Sequence, residues 1–177
     1  VVNLIRIQPG HTVAAMIAVR EFAEGRYVVL AARSGYIKKT SLAAFSRPRA
    51  DGIIAVHIPE GDELLAAGLS GGEDQILMAT AQGQAIRFHE SDVRPMGRDS
   101  RGVIGIRMAD DDRLVAMEVL SGEPDVLTVT ANGYGKRSPV EEYRLQGRGG
   151  SGIINIRTTE RNGSVVACMA VAPEDQM

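Results

Sequence analysis

Twelve lysine and arginine side chains in this sequence fall into three groups of four: Lys38, Lys39, Arg47 and Arg49; Arg87, Arg94, Arg98 and Arg101; Lys136, Arg137, Arg144 and Arg148. Cations that recur at a regular step suit contact with a polyanion, because each can neutralise one backbone phosphate without reading a base edge. The overall balance, 20 Lys plus Arg against 22 Asp plus Glu for a formal net charge of −2, argues on its face against nucleic acid. That average hides a segregation. Segments 34–49, 82–101 and 132–148 hold twelve basic and five acidic residues, and the remainder holds eight basic and seventeen acidic. Aromatic residues make up 4% of the chain, with no Trp, too few to build stacking platforms for single-stranded bases. Duplex backbone is the better match.

Other chemistry finds little support. Asp110, Asp111 and Asp112 are adjacent and lack the spaced oxygen ligands of a calcium loop, so no metal site is expected. His11, His57 and His89 stand apart from any Cys or carboxylate motif. Tyr27, Tyr36, Tyr134 and Tyr143 have no nucleophile context, and neither a phosphate-binding Gly-x-x-x-x-Gly-Lys loop nor a Ser nucleophile motif occurs. No catalytic residue is expected. The lone Cys168 lies in the apolar run 165–171 and reads as a small buried side chain in a reducing compartment. No signal peptide or long apolar span is visible.

The elements that carry the cations repeat. Gly52-Ile-Ile-Ala-Val-His-Ile58 returns as Gly102-Val-Ile-Gly-Ile-Arg-Met108 and Gly152-Ile-Ile-Asn-Ile-Arg-Thr158, two steps of 50. Upstream of each lies a strand pair around Ser34-Gly35, Gln82-Gly83 or Asn132-Gly133, which predicts two-residue hairpin turns. In the first copy, strands are expected at 28–33, 35–40, 53–58 and 64–70, with irregular chain over 41–51 and turns at 59–62 and 71–74. Ile54, Val56, Ile104, Ile106, Ile154 and Ile156 are the expected core of the third strand. Runs 113–120 and 164–171, rich in Ala, Val and Met, have strand rather than helix length and are expected to be buried on two faces. A strand period of this size belongs to a radial array of small sheets, because one such sheet cannot bury its own apolar face. The fold class is therefore all-β and propeller-like, with four-stranded blades. Equivalent positions share a circle, so the basic groups form a stripe around the perimeter.

Residues 1–7 match 153–157 with one insertion, and 172–177 match 71–76, so the chain reads as a piece of a longer array. The expected divisions are 1–26, the end of one blade; blades 27–74, 75–124 and 125–174; and 175–177, the start of the next. Strand edges exposed by such a cut would favour association with another copy.

Asn132-Gly-Tyr-Gly-Lys-Arg-Ser-Pro-Val-Glu-Glu-Tyr143, Ser91-Asp-Val-Arg-Pro-Met-Gly97, Phe22-Ala-Glu-Gly25 and Gly152-Ile-Ile-Asn-Ile-Arg157 with Thr159-Glu-Arg-Asn-Gly163 resemble the C-terminal DNA-wrapping domain of bacterial DNA gyrase A subunits. The likeness runs in order along essentially the whole chain. It implies a β-pinwheel, a six-bladed propeller-like ring with strands exchanged between neighbouring blades, of which this chain is a truncated part. It also implies an outer edge that wraps duplex DNA so that strand passage introduces negative supercoils. By the same resemblance, the partners are duplex DNA, the rest of the gyrase A polypeptide and the ATPase polypeptide, gyrase B. ATP and Mg are used elsewhere in the holoenzyme, no cofactor binds here, and the location is the bacterial cytoplasm at the nucleoid. The family's Gln-Arg-Arg-Gly-Gly-Lys-Gly box belongs upstream of Val1. Gln146-Gly-Arg-Gly-Gly-Ser-Gly152 echoes it, with Gly147 and Ser151 in place of basic residues and Arg148 as a phosphate contact. The alternatives are the related subunit of topoisomerase IV and a generic propeller serving as a protein-interaction platform.

Overall fold

The computed structural model describes residues 10, 12–122, 124–172 and 175. The match at 1–7, His11 and most of 172–177 lie outside the described residues. Eleven strands in chain order are β1 Tyr27–Ala32, β2 Tyr36–Ser41, β3 Leu64–Ser70, β4 Gln75–Thr80, β5 Gln84–His89, β6 Val103–Ile104, β7 Leu114–Leu120, β8 Asp125–Thr130, β9 Gly135–Pro139, β10 Ile153–Ile154 and β11 Val165–Val171. They form antiparallel sheets in the orders β3-β1-β2-β6, β10-β5-β4-β7 and β11-β8-β9. The runs at 113–120 and 164–171 are strands, as their length indicated. Among the described residues, no helix is long and apolar enough to cross a membrane.

The third strand of each repeat departs from expectation. Residues 53–58 form no strand, and the later copies shrink to the two residues of β6 and β10. The reason is exchange: β6 pairs with β2 of the preceding repeat (Tyr36↔Ile104, Ile37↔Val103), and β10 pairs with β5 (Ile153↔Ala85, Ile154↔Gln84). Segment 53–58 has no earlier hairpin beside it among the described residues. Conversely, β9 has no exchanged strand of a later repeat beside it among the described residues, so the third sheet shows three strands rather than four.

Exchange also corrects the expected core set. Ile106 is buried at 1% exposure, Val56, Ile104 and Ile156 are half-buried, and Ile54 and Ile154 are 68% and 55% exposed. Ile154 faces outward on the added strand β10, and Ile54 does so on the unpaired segment 53–58. Ile104 is partly covered because Arg148 and Gly149 of the next repeat donate to the carbonyls of Ile104 and Gly105.

Glycine at the start of this strand is required by backbone approach. Gly102 and Gly152 have φ of +103° and +76°, and a Cβ on either would overlap the carbonyl oxygen of Ile37 or Ala85. Gly152→Ala is expected to lower the urea midpoint, by strain at positive φ plus displacement of β10 from β5. The same change at Gly52, which shares the positive φ at +82° but has open space around it, should cost less because no strand is displaced. Equal midpoints for the two variants would refute this account of the exchange.

The hairpin turns differ from expectation as well. β1 ends at Ala32 and β2 begins at Tyr36, leaving three loop residues, with Gly35 N donating to Ala32 O at 3.0 Å. Positive φ occurs only at glycine among the described residues, at Gly35, Gly83 and Gly133 in these loops. A type I turn closed by a left-handed Gly satisfies this pattern; a two-residue turn with positive φ at Ser34 does not.

The sheets stack face to face, which explains strands apolar on both sides. From β1, Val29 and Ala31 pack toward β4, where Ile76 and Met78 meet them with Ile37, Ile86, Phe88 and Leu114. The alternate residues Leu77 and Ala79 face the third sheet, against Val126, Val140, Tyr143 and Cys168. Ile76 and Met78 are fully buried, so Ile76→Ala should cost about 2–5 kcal/mol. β7 packs between β3 and β11, and the would-be Cβ of Gly68 lies 2.8 Å from Val119. β11 has no further sheet beside it among the described residues, and Val166 and Met169 are exposed, so its burial is one-sided.

Candidate nucleic-acid interface

After each hairpin the chain makes one 3₁₀ turn, at Leu42–Phe45, Glu90–Asp92 or Val140–Glu142. It then runs along the second hairpin strand of the preceding repeat toward the exchanged strand. Met96 N donates to Lys39 O at 2.9 Å, and Gln146 N donates to Arg87 O at 3.0 Å. These connecting segments form the outer margin of the sheets, opposite the contacting strands β3, β7 and β11. Most of the clustered cations lie on or beside them.

Lys39, Arg87 and Arg137 are equivalent by sequence and by strand register. Lys39 Nζ donates to the Glu90 carbonyl at 2.9 Å and to its Oε1 at 3.2 Å, and lies 4.9 Å from the centre of the Tyr27 ring. Arg87 donates to Gln75 Oε1 at 2.6 Å and to the carbonyls of Val140 and Tyr143 at 2.8 and 3.2 Å. Each cation thus joins the 3₁₀ turn of the following repeat. Arg137 instead pairs with Asp125 at 2.6 Å and donates to Ala172 O at 3.2 Å.

Lys38 is 1% exposed and donates to the carbonyls of Ala55, Ser100 and Arg98. Arg98 and Arg148 repeat one bond: Nη1 of each donates to a carbonyl of the preceding repeat, Ile54 at 3.3 Å and Ile104 at 3.1 Å. Arg148 Nε also donates to Asp92 O at 2.8 Å. Both arginines are half-buried, as is Lys136. Arg47, Arg49, Arg94, Arg101 and Arg144 are exposed. Arg101 stacks 3.8 Å from the Tyr36 ring centre, and Arg144 donates to Gln146 Oε1 at 3.4 Å. Among the clustered cations, five exposed guanidinium groups without an ion pair therefore face solvent along one margin, and exposed Arg137 is paired with Asp125.

A family model described as DNA gyrase C-terminal domain, beta-propeller, matches residues 26–70, 74–121 and 124–172. The chain belongs to this family. The DNA gyrase A protein of Klebsiella oxytoca is 46% identical over 98 residues, covering 55% of this chain and 11% of that protein. Its counterpart from Mycolicibacterium smegmatis is 43% identical over 100 residues, covering 55% and 12%. The matched stretch thus spans about a tenth of these relatives' length. Among solved structures, a gyrase A C-terminal domain aligns with TM-score 0.87 at 24% identity over 97% of this chain and 57% of that one. The C-terminal domain of a topoisomerase IV aligns with TM-score 0.88 at 22% identity over 96% and 53%. At these identities the likeness establishes the fold, and the exchanged strands β6 and β10 are the pinwheel feature of the gyrase C-terminal fold.

Two cations of this gyrase-family chain escaped the sequence grouping. Arg107 and Arg157 are equivalent, exposed, and follow the exchanged strands on the outer margin. Their recurrence at a step of 50 was the available signal, masked because they lie outside the basic segments. The acidic run has a structural use: Asp112 Oδ1 accepts from the amides of Gln82 and Arg113 at 2.9 and 2.8 Å, as Asp62 does for Ser34 and Glu63. Among the described residues, no three His, Cys, Asp or Glu side chains converge as metal ligands.

Tyr143 is buried, and its hydroxyl donates to Asn155 Oδ1 at 2.7 Å. Asn155 Nδ2 donates to Thr128 Oγ1 at 2.9 Å, and Cys168 Sγ lies 3.6 Å from that hydroxyl. Burial pushes the Tyr143 phenol up to about 12 and the Cys168 thiol up to about 11. The native chain should therefore resist maleimide at pH 8 and react once denatured. Rapid native labelling would contradict this burial.

Proposed function

We propose that this chain binds and wraps duplex DNA as the non-catalytic module of an ATP-dependent type IIA topoisomerase, with gyrase preferred over topoisomerase IV. The observation that carries the reading is the exposed row of Arg47, Arg49, Arg94, Arg101 and Arg144 along the outer margin, in a chain of the gyrase family. Exposed guanidinium groups without an ion pair reach phosphate most freely, so among the clustered cations these five are the primary contacts. Exposed Arg107 and Arg157 stand beside them, half-buried Arg98, Arg148 and Lys136 are secondary, and Lys38, Lys39 and Arg87 hold the scaffold beneath. Arg137 divides its charge with Asp125. The preference for gyrase rests on sequence relatives, all the more because the two solved folds align equally well.

On this reading DNA cleavage, ATP and Mg belong to other parts of the enzyme. The partners are the rest of the gyrase A polypeptide and the gyrase B polypeptide, and the compartment is the bacterial cytoplasm. The test is anisotropy with duplexes of about 15 and 40 base pairs across salt concentrations. Long duplexes, reaching more repeats, should bind more tightly and show the steeper fall of log affinity with log salt. Unrelated sequences should compete equally. Binding indifferent to salt and length would instead favour a protein-interaction platform.

A further inference from the structure

Between the first and second repeats lies a cleft of about 400 Å³, lined by Arg49, Gly52, Ile53, Ile54, Arg98 and Asp99. The Arg49 side chain is exposed, with no hydrogen-bond partner among the described residues, while the Arg49 carbonyl accepts from Gly52 N at 2.9 Å. Arg98 is held at the wall by its 3.3 Å bond to Ile54 O. Behind that wall, buried Lys38 gathers the carbonyls of Ala55, Arg98 and Ser100, so one ammonium ties loop 97–101 to segment 53–58. His57 N donates to Ser100 O at 3.2 Å across the same seam. The corresponding place between the second and third repeats lacks this arrangement, because Ile86 replaces Lys38 and Asp99 replaces Arg49. The cleft is thus a built feature of one junction rather than a general property of the rim.

We infer that this cleft seats a phosphate group of the duplex backbone, with Arg49 and Arg98 as its direct contacts and Lys38 as the positioning residue for the loop that carries Arg98. The inference rests on the duplex-binding reading above and adds a located seat to it. Two guanidinium groups face one carboxylate in the lining, and Asp99 is balanced by the Lys38 ammonium behind it. The remaining charge favours an anion, and paired guanidinium forks match phosphate oxygens.

The positioning role gives the seat a pH dependence. Burial pushes the Lys38 ammonium down to about 8; Asp99 opposes the shift and Arg98 adds to it. The other ionisable side chains on the segments it joins are Arg101 on loop 97–101 and exposed His57 on segment 53–58, Arg49 lies on the cleft, and the cross-strand partner Leu30 is apolar. Above that pH a neutral amine has one fewer proton for three carbonyls, and the loop is held less firmly. Lys38 releases its proton more readily in the folded chain than at its ordinary 10.5, so its contribution to folding becomes more favourable as pH rises from about 8 toward 10.5. Weaker DNA binding in that window is therefore not a sign of Lys38-driven unfolding.

The experiment is anisotropy with a duplex of about 40 base pairs on the full chain, between pH 7 and 9. Arg49→Gln, which removes no observed contact, and Arg98→Gln should each weaken binding by about threefold to tenfold. The parent should lose affinity across the pH range. Lys38→Met should start weaker and stay flat, and Arg144→Gln should weaken binding while keeping the pH fall. If Arg49→Gln binds like the parent and Arg144→Gln does not, the seat is wrong and DNA wrapping survives. If neither weakens, both readings fail. A pH fall that persists in Lys38→Met overturns the positioning role. Inorganic phosphate that shifts the Arg49 and Arg98 side-chain NMR signals, with duplex affinity intact in Arg49→Gln, would identify a free-anion site and overturn the backbone assignment.

Discussion

Replacing Arg47, Arg49, Arg94, Arg101 and Arg144 together with glutamate is expected to weaken binding to a long duplex by about a hundredfold or more at low salt. Each change removes a candidate phosphate contact and installs a repelling carboxylate. None of the five is buried, so the urea midpoint should stay near that of the parent. The slope of log affinity against log salt should become shallower by about 0.9 for each phosphate no longer neutralised. Relative preference among sequences should be unchanged, because backbone contacts carry no base information. Retained affinity in a folded variant would remove the arginine margin from the mechanism, whatever the fold.

The choice of those five residues marks where sequence reading stops. The step of 50 revealed the repeats, the all-β class and a basic group in each repeat, because these depend on residue type and spacing alone. It could not separate Lys38 and Lys39 from Arg47 and Arg49. All four are cations in one short stretch, but the first two lie on β2, buried at 1% and 3%, whereas the arginines follow the 3₁₀ turn. Burial of a lysine depends on acceptors distant in sequence, such as Ser100 O for Lys38 and Glu90 O for Lys39. The same limit explains Ile54 and Ile154. Their alternation was legible, but burial depends on a strand of another repeat, which lies beside Ile154 and not, among the described residues, beside Ile54, so the inward face could not be assigned. Arg107 and Arg157 were visible as a recurrence and were missed because local charge balance concealed them.

The Lys39–Glu90 pair offers the clearest separation of scaffold from contact. Both side chains are buried, their closest charged atoms are 3.2 Å apart, and Glu90 Oε2 has no hydrogen-bond partner among the described residues. Lys39→Met leaves a buried carboxylate without its cation, at a cost of about 3–5 kcal/mol. Glu90→Leu should cost less, because Lys39 keeps the Glu90 carbonyl and the Tyr27 ring. Combining the two removes the uncompensated charge, and the double variant should recover most of the stability that Lys39→Met forfeits. Urea unfolding of the parent, both single variants and the double variant measures that coupling. A double variant no more stable than Lys39→Met would show that the pair does not act as a unit. The same protein tests function, since the two changes together leave net charge unaltered. If Lys39 is scaffold, the folded double variant should bind duplex DNA with parental affinity and salt slope; a slope shallower by about 0.9 would return Lys39 to the contact set.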